Sequence, residues 1–166
     1  MSGSKIKMSS QSSETALDRV FGSLAYLLPI ADVYFFGEFV FRQFPIFGDI
    51  YQPLAPLIAI NNGFGGFILF LGLYLGVAVN PKISRFIRFN VFQAILIGIL
   101  ISLCQLLLQY VFEKIPGIEL VTQVLMNTVF FGTWAMAIYG IVMSAMGKYT
   151  EIPQLSETAQ MQIDRY

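Results

Sequence analysis

Three stretches of this chain run for more than twenty residues without a single charged side chain: Ile50 to Pro81, Phe89 to Phe112 and Leu120 to Gly147. A bilayer offers no water to unpaired backbone groups, so such stretches cross it as helices of roughly twenty residues, each amide bonded within its own segment. The composition agrees: 56% of the 166 residues are hydrophobic and 12% charged, and mean hydropathy is +0.68, whereas a soluble domain carries about a quarter charged residues. The expected fold is an all-α membrane protein with four transmembrane helices.

The first helix is expected from about Leu17 to Phe41, with Pro29 predicting a kink or break because a proline removes one helical hydrogen bond. The proline-spaced segment Tyr51-Gln52-Pro53-Leu54-Ala55-Pro56-Leu57 then reads as an interfacial or re-entrant connection between the first and second helices. The second span, about Phe64 to Val79, is entered through Asn61-Asn62-Gly63 and stopped by Asn80-Pro81. The third runs from about Phe86 to Phe112. The turn Glu113-Lys114-Ile115-Pro116-Gly117 leads into the fourth, about Leu120 to Met146.

This divides the chain into a disordered N-terminal tail (1–16), a four-helix transmembrane domain (17–148) and a polar C-terminal tail (149–166). Met1 to Thr15 is serine-rich and contains no cleavable apolar signal segment. Counting Lys and Arg alone, Lys5, Lys7, Arg19, Lys82, Arg85, Arg88, Lys148 and Arg165 fall on the side of the termini, against Arg42 and Lys114 on the other. The positive-inside rule therefore predicts both termini in the cytoplasm, or in the stroma of a plastid.

Ionisable groups at membrane depth cost about 2.5–3.5 kcal/mol and are retained where they line water, pair or bind. Asp32 and Glu38 are candidates for a polar path, against the reading that Pro29 ends the helix early and leaves both acids in interfacial water. Gly98, Ser102, Gln105 and Gln109 share a roughly 60° arc of the third helix at about 100° per residue, with Asn90 and Gln93 to one side. Such a stripe faces protein or water. Interhelical packing is the ordinary explanation for it, and the lining of a conduit the functional one.

Gly72 with Gly76 and Gly140 with Ser144 form small-xxx-small pairs that permit close helix packing, within or between chains. The basic hairpin Lys82, Arg85, Arg88 either anchors topology or binds lipid phosphate or an acidic partner segment. The sequence contains no histidine and one cysteine, Cys104. No metal site, no cofactor and no catalytic constellation are therefore expected, and the zero net charge gives no reason to expect a nucleic acid partner.

Several segments together resemble the Tic-twenty (Tic20) family: Leu24-Ala25-Tyr26-Leu27-Leu28-Pro29-Ile30-Ala31-Asp32, then Gln43-Phe44-Pro45, Pro53 and Pro56, and above all Ser84-Arg85-Phe86-Ile87-Arg88-Phe89-Asn90-Val91-Phe92-Gln93-Ala94. The likeness covers about Leu17 to Met146. Val33 and Ile97-Gly98 stand where the family pattern has a glycine and an acidic residue. The resemblance implies a non-enzymatic membrane subunit of the translocon that imports preproteins across the chloroplast inner envelope, or a homologous role in a cyanobacterial membrane. Its implied partners are the lipid bilayer, other translocon subunits, preproteins in transit and further copies of itself in a homo-oligomer. The short N-tail, lacking a Ser/Arg-rich transit peptide, fits a cyanobacterial, plastid-encoded or processed form. From the residues alone, a small-solute or ion transporter or channel, and a non-conducting assembly factor, remain alternatives.

Overall fold

The computed structural model describes residues 14–166, so nearly all of the expected disordered N-terminal tail, including Lys5 and Lys7, lies outside the described residues. Every regular element among the described residues is helical. Three stretches are long and apolar enough to cross a membrane: Ala16–Gln43, Arg85–Lys114 and Glu119–Ala145. A further pair, Pro45–Asn61 and Phe64–Ala78, meets at 95° and qualifies only if counted together.

The first long stretch begins at Thr15, whose side chain and that of Asp18 cap each other's backbone. It comprises α1 (Ala16–Leu24), α2 (Leu27–Asp32), a 3₁₀ turn (Val33–Gly37) and α3 (Glu38–Gln43). The interruption expected at Pro29 lies one turn earlier, at Ala25 and Tyr26. Pro29 has no N–H to offer the carbonyl four residues back, so Ala25 O instead accepts from Leu28 N at 3.2 Å, and Tyr26 N donates to Ser23 O at 3.2 Å. The helix tightens there and continues. Asp32 therefore sits within a long span rather than at its end.

Past Phe44, the prolines shape a string of short helices. Pro45 lies in the first turn of α4 (Pro45–Ile50), Pro53 in that of the 3₁₀ segment Gln52–Leu54, and Pro56 in that of α5 (Ala55–Asn61), where a missing N–H costs nothing. Phe44, with φ −133° and ψ 83°, leaves the helical region, which a following proline disfavours. Tyr51, only 2% exposed, seats this arm: its hydroxyl accepts from the Trp134 indole N–H at 2.9 Å, and its ring packs edge-on to Trp134.

The sharp bend falls at Gly63, whose φ of 67° and ψ of −136° lie in a region closed to other residues. Beyond it come α6 (Phe64–Leu73) and one π-helical turn (Tyr74–Ala78). These fifteen residues reach about 22 Å at most, short of a roughly 30 Å hydrocarbon core.

The two longest helices are α7 (Arg85–Tyr110) and α8 (Glu119–Ala145). Pairings fix their directions. Tyr26 meets Asn90 and Gln93, and Asp32 lies against Gly98, so the first stretch runs parallel to α7. Arg88 reaches Ala78 while Phe92 packs on Tyr74, so α6 with its π turn runs antiparallel to α7. Ser144 meets Asn90 and Gly140 meets Tyr26, while Phe130 packs on Phe41, so α8 is antiparallel to the first stretch.

Residues 149–166, expected as a polar tail, fold back. Helix α9 (Leu155–Ile163) buries Ala159 and Ile163 against Phe89, Phe92 and Ala78. The start of α1, the 80–88 hairpin, the end of α8 and α9 thus share one end of the bundle, with the Arg19 Nε only 2.8 Å from where a Cβ on Gly147 would lie.

The two small-xxx-small pairs part company. A Cβ on Gly140 would run into three atoms of the Tyr26 ring, itself fully buried, and Ser144 hydrogen-bonds Asn90, so this pair packs helices within the chain. A Cβ on Gly72 or Gly76 would meet nothing within 4 Å, so that pair packs against no helix among the described residues. Gly140→Ala is accordingly expected to destabilise the protein in detergent by about 1–3 kcal/mol, the cost of overpacking, while Gly72→Ala and Gly76→Ala leave the unfolding midpoint unlowered. Equal effects of the three substitutions on the midpoint would contradict this packing.

Candidate functional site

The polar side chains of α7 divide into two sets with different surroundings. Asn90 and Gln93, near its start, are fully buried. Asn90 Oδ1 accepts from the Tyr26 hydroxyl at 3.0 Å and from the Ser144 hydroxyl at 2.9 Å. Its Nδ2 donates to Phe86 O at 2.9 Å, and Gln93 Nε2 donates to the Tyr26 hydroxyl at 3.2 Å. These two amides join α7, α8 and the turn before α2, and they line no opening.

Ser102 and Gln105, about three turns further on, border a cleft of about 770 Å³ between the first stretch, the Asn61–Gly63 bend, α6 and α7. Asp32 and Glu38 line it as well, together with Asn61 and Asn62. Four of the seven candidate polar-path residues therefore converge on one cavity. Gln109, a turn beyond Gln105, is outside it, as are Asn90 and Gln93. Most of the remaining wall is aromatic or aliphatic, including Tyr34, Phe67 and Phe70.

The two acids of the cleft differ. Glu38 is exposed and ion-paired with Arg42 one turn along α3, a pair worth under about 1 kcal/mol at this exposure. Asp32 is half-buried, and among the described residues it forms no salt bridge. Its Oδ1 accepts a hydrogen bond from the Asn61 side chain, and its Oδ2 lies 2.7 Å from where a Cβ on Gly98 would sit. Gly98 is thus the notch that admits the carboxylate. Ser102, whose hydroxyl donates to Gly98 O at 2.9 Å, borders the same cleft.

Asn61 was absent from the candidate residues. Its signal was the polar trio Asn61-Asn62-Gly63 between two apolar runs, which marks a chain break in the membrane as well as a helix start.

The basic hairpin proves internally engaged. Arg88 is 6% exposed; its Nε donates to Ala78 O at 3.1 Å and its Nη2 to Ile163 O at 3.2 Å. One guanidinium thereby caps the final residues of the π turn and of α9, where the helix dipole is negative. Arg85 pairs with Asp164 at 2.7 Å and lies 5.8 Å from the centroid of the Tyr149 ring. Lys82 remains exposed in the turn. The lipid-phosphate reading thus does not hold for Arg88: it serves two helix ends of its own chain.

A sequence profile described as chloroplast import apparatus Tic20-like matches residues 5–159. The chain belongs to the Tic20 family. A Tic20 family protein of Synechocystis sp. is 44% identical over 158 residues, covering 94% of this chain and 99% of the relative. Two chloroplastic Tic20 proteins of Arabidopsis thaliana, TIC 20-v and TIC 20-II, are 34% and 31% identical over 151 and 153 residues. Each alignment covers 89% of this chain and 72% and 73% of the relative, respectively. The Tic20 match spans every element described above except the last part of α9.

Arg88→Gln is expected to loosen α9, because the charge-assisted hydrogen bond of about 1.5–3 kcal/mol to Ile163 O is weakened together with the one that holds the π turn beside it. Trypsin cleavage after Lys148 should quicken markedly. Asp164→Asn, which removes only an exposed ion pair, should leave protection nearly unchanged. Unchanged protection in Arg88→Gln would refute the double-cap account.

Proposed function

We propose that this chain is a membrane-embedded subunit of a protein-import machine in a plastid or cyanobacterial membrane, and that its polar cleft forms part of the wall along which a polypeptide passes. The observation that carries the reading beyond family membership is the convergence of Asp32, Asn61, Ser102 and Gln105 on one cleft between the apolar helices. Polar groups without full internal pairing persist there where water or cargo reaches them. No enzymatic step is part of this role.

In this reading the chain crosses the bilayer four times, with the bent pair contributing a short second crossing and its proline arm lying re-entrant or interfacial. The alternating directions of the first stretch, α6, α7 and α8 support that count, as does the gathering of α1's start, the 80–88 hairpin and α9 at one end. Eight of the ten Lys and Arg residues belong to that end by sequence, which supports placing it in the stroma or cytoplasm. A cleft walled by one chain is a groove rather than a tube. A conduit wide enough for a polypeptide needs partner subunits or further copies of this chain to close it.

A second reading, a small-solute or ion transporter, draws on the same convergence of Asp32 with a broken helix, since such breaks carry substrate and ion sites in transporters. Affinity purification from gently solubilised native membrane, with arrested preproteins offered as cargo, separates the two. Recovery of other translocon subunits, with crosslinks from cleft positions to the arrested chain, is the expected result. A lone oligomer that never contacts a preprotein would reject the import reading and favour the transporter.

A further inference from the structure

The structure of the cleft points to a particular kind of cargo chemistry: we infer that Asp32 is a transient receptor for the basic side chains, Lys or Arg, of a polypeptide in transit. This rests on the import reading and specifies what the cleft recognises.

The argument begins with an imbalance. Asp32 is the one acid of the cleft that no basic residue pairs among the described residues, whereas Glu38 at the rim already holds Arg42. Its one side-chain hydrogen bond comes from a neutral amide, Asn61. A carboxylate in an apolar wall gains most from a cation with donors of its own, because charge-assisted hydrogen bonds strengthen where water is scarce.

The shape of the surroundings selects among cations. No group of three or more His, Cys, Asp or Glu side chains able to hold a metal ion occurs among the described residues, which disfavours a divalent cation. Aromatic and aliphatic side chains, Tyr34, Phe35, Phe67 and Phe70 among them, line the same cleft as the carboxylate. A largely apolar wall around a half-buried carboxylate that no base pairs among the described residues matches a ligand with an aliphatic stem and a cationic tip, the build of lysine and arginine. Aromatic faces near that path add attraction for the same cation. Asn61 and Ser102 line the same cleft, and their oxygens can accept further hydrogen bonds from a multi-donor ammonium or guanidinium.

The bend also orients the receptor. Asn61 ends α5 and Gly63 turns the chain by its positive φ, so the amide that holds Asp32 is fixed by a break in the helix rather than by a mobile loop. Gly98 completes the seat, because a methyl group there would occupy the position of the carboxylate. Arrival of a cargo cation leaves this seat intact and satisfies a charge that is otherwise unmatched. Departure breaks a single ion pair and the neutral contacts beside it, as a passage requires.

The test uses the full chain in nanodiscs with the photo-crosslinking residue p-benzoylphenylalanine in place of Phe67. The probes are unstructured peptides of Gly, Ser, Ala and Leu with a single central lysine, norleucine or glutamate, compared at constant ionic strength. The lysine peptide should crosslink about tenfold more than the norleucine peptide, the worth of one charge-assisted hydrogen bond, and the glutamate peptide least. Asp32→Asn should bring lysine down to the norleucine level and leave norleucine unchanged. Gly98→Ala, which keeps the charge but displaces it, should reduce the lysine preference in part. Trp134 emission, read on every variant, reports that the aromatic seat of the proline arm is intact. Equal yields for lysine and norleucine in the unsubstituted chain would overturn the inference while leaving the import reading standing. Crosslinks to no peptide at all would remove the cleft as a cargo site.

Discussion

Asn90 is the fastening on which the arrangement depends. Its side chain bonds Tyr26, Ser144 and the Phe86 carbonyl, and it is fully buried. In hydrocarbon an unpaired amide is costly, so a residue that can satisfy its groups only at the junction of three helices holds those helices in one register. The Tyr26 ring, held from one side by Asn90, lies flat on Gly140 of α8. The turn forced by Pro29 falls at this same ring, and the first stretch bends where it is pinned.

That register decides where the acid lands. Tyr26 and Asp32 are six residues apart on the first stretch, and Asn90 and Gly98 eight apart on α7, two parallel elements with similar rise. Pinning the first pair brings the second pair together, so Asp32 faces the one position on α7 where the absence of a Cβ makes room for it. The bent pair then closes over the same point and presents Asn61 to the carboxylate. A structural polar junction at one level thus builds a polar cleft about 12 Å further along α7.

Arg88 plays a comparable part at the end of the bundle. A buried guanidinium without a carboxylate partner is unusual, and here backbone carbonyls at two helix ends take that partner's place. The result ties the short second arm to the C-terminal helix through one side chain, which shapes the cleft's far wall indirectly by fixing where α6 ends.

Much of this was legible from residue order alone. Charge-free runs of more than twenty residues pointed to helices that satisfy their own amides without water, as two of the three runs do in single long helices and the proline-spaced third does only as a bent pair. Their boundaries followed from Asn80-Pro81 and Ile115-Pro116-Gly117, and the run around Arg85 and Gln93 signalled the family. The sequence could also show that α7 carries a polar stripe, but not that Asn90 and Gln93 bind the helices together while Ser102 and Gln105 face a cavity, since all lie on neighbouring arcs and the Asn90 partners Tyr26 and Ser144 are 64 and 54 residues away. Nor could it show that Arg88 is buried: a basic residue beside a membrane helix looks the same whether it meets lipid or the end of a helix 75 residues on. Helix formation is a local matter of backbone hydrogen bonding in a medium without water, so sequence determines it. The assignment of each polar group to glue, cap or cleft depends on which helices meet at its level, and only the tertiary packing decides that.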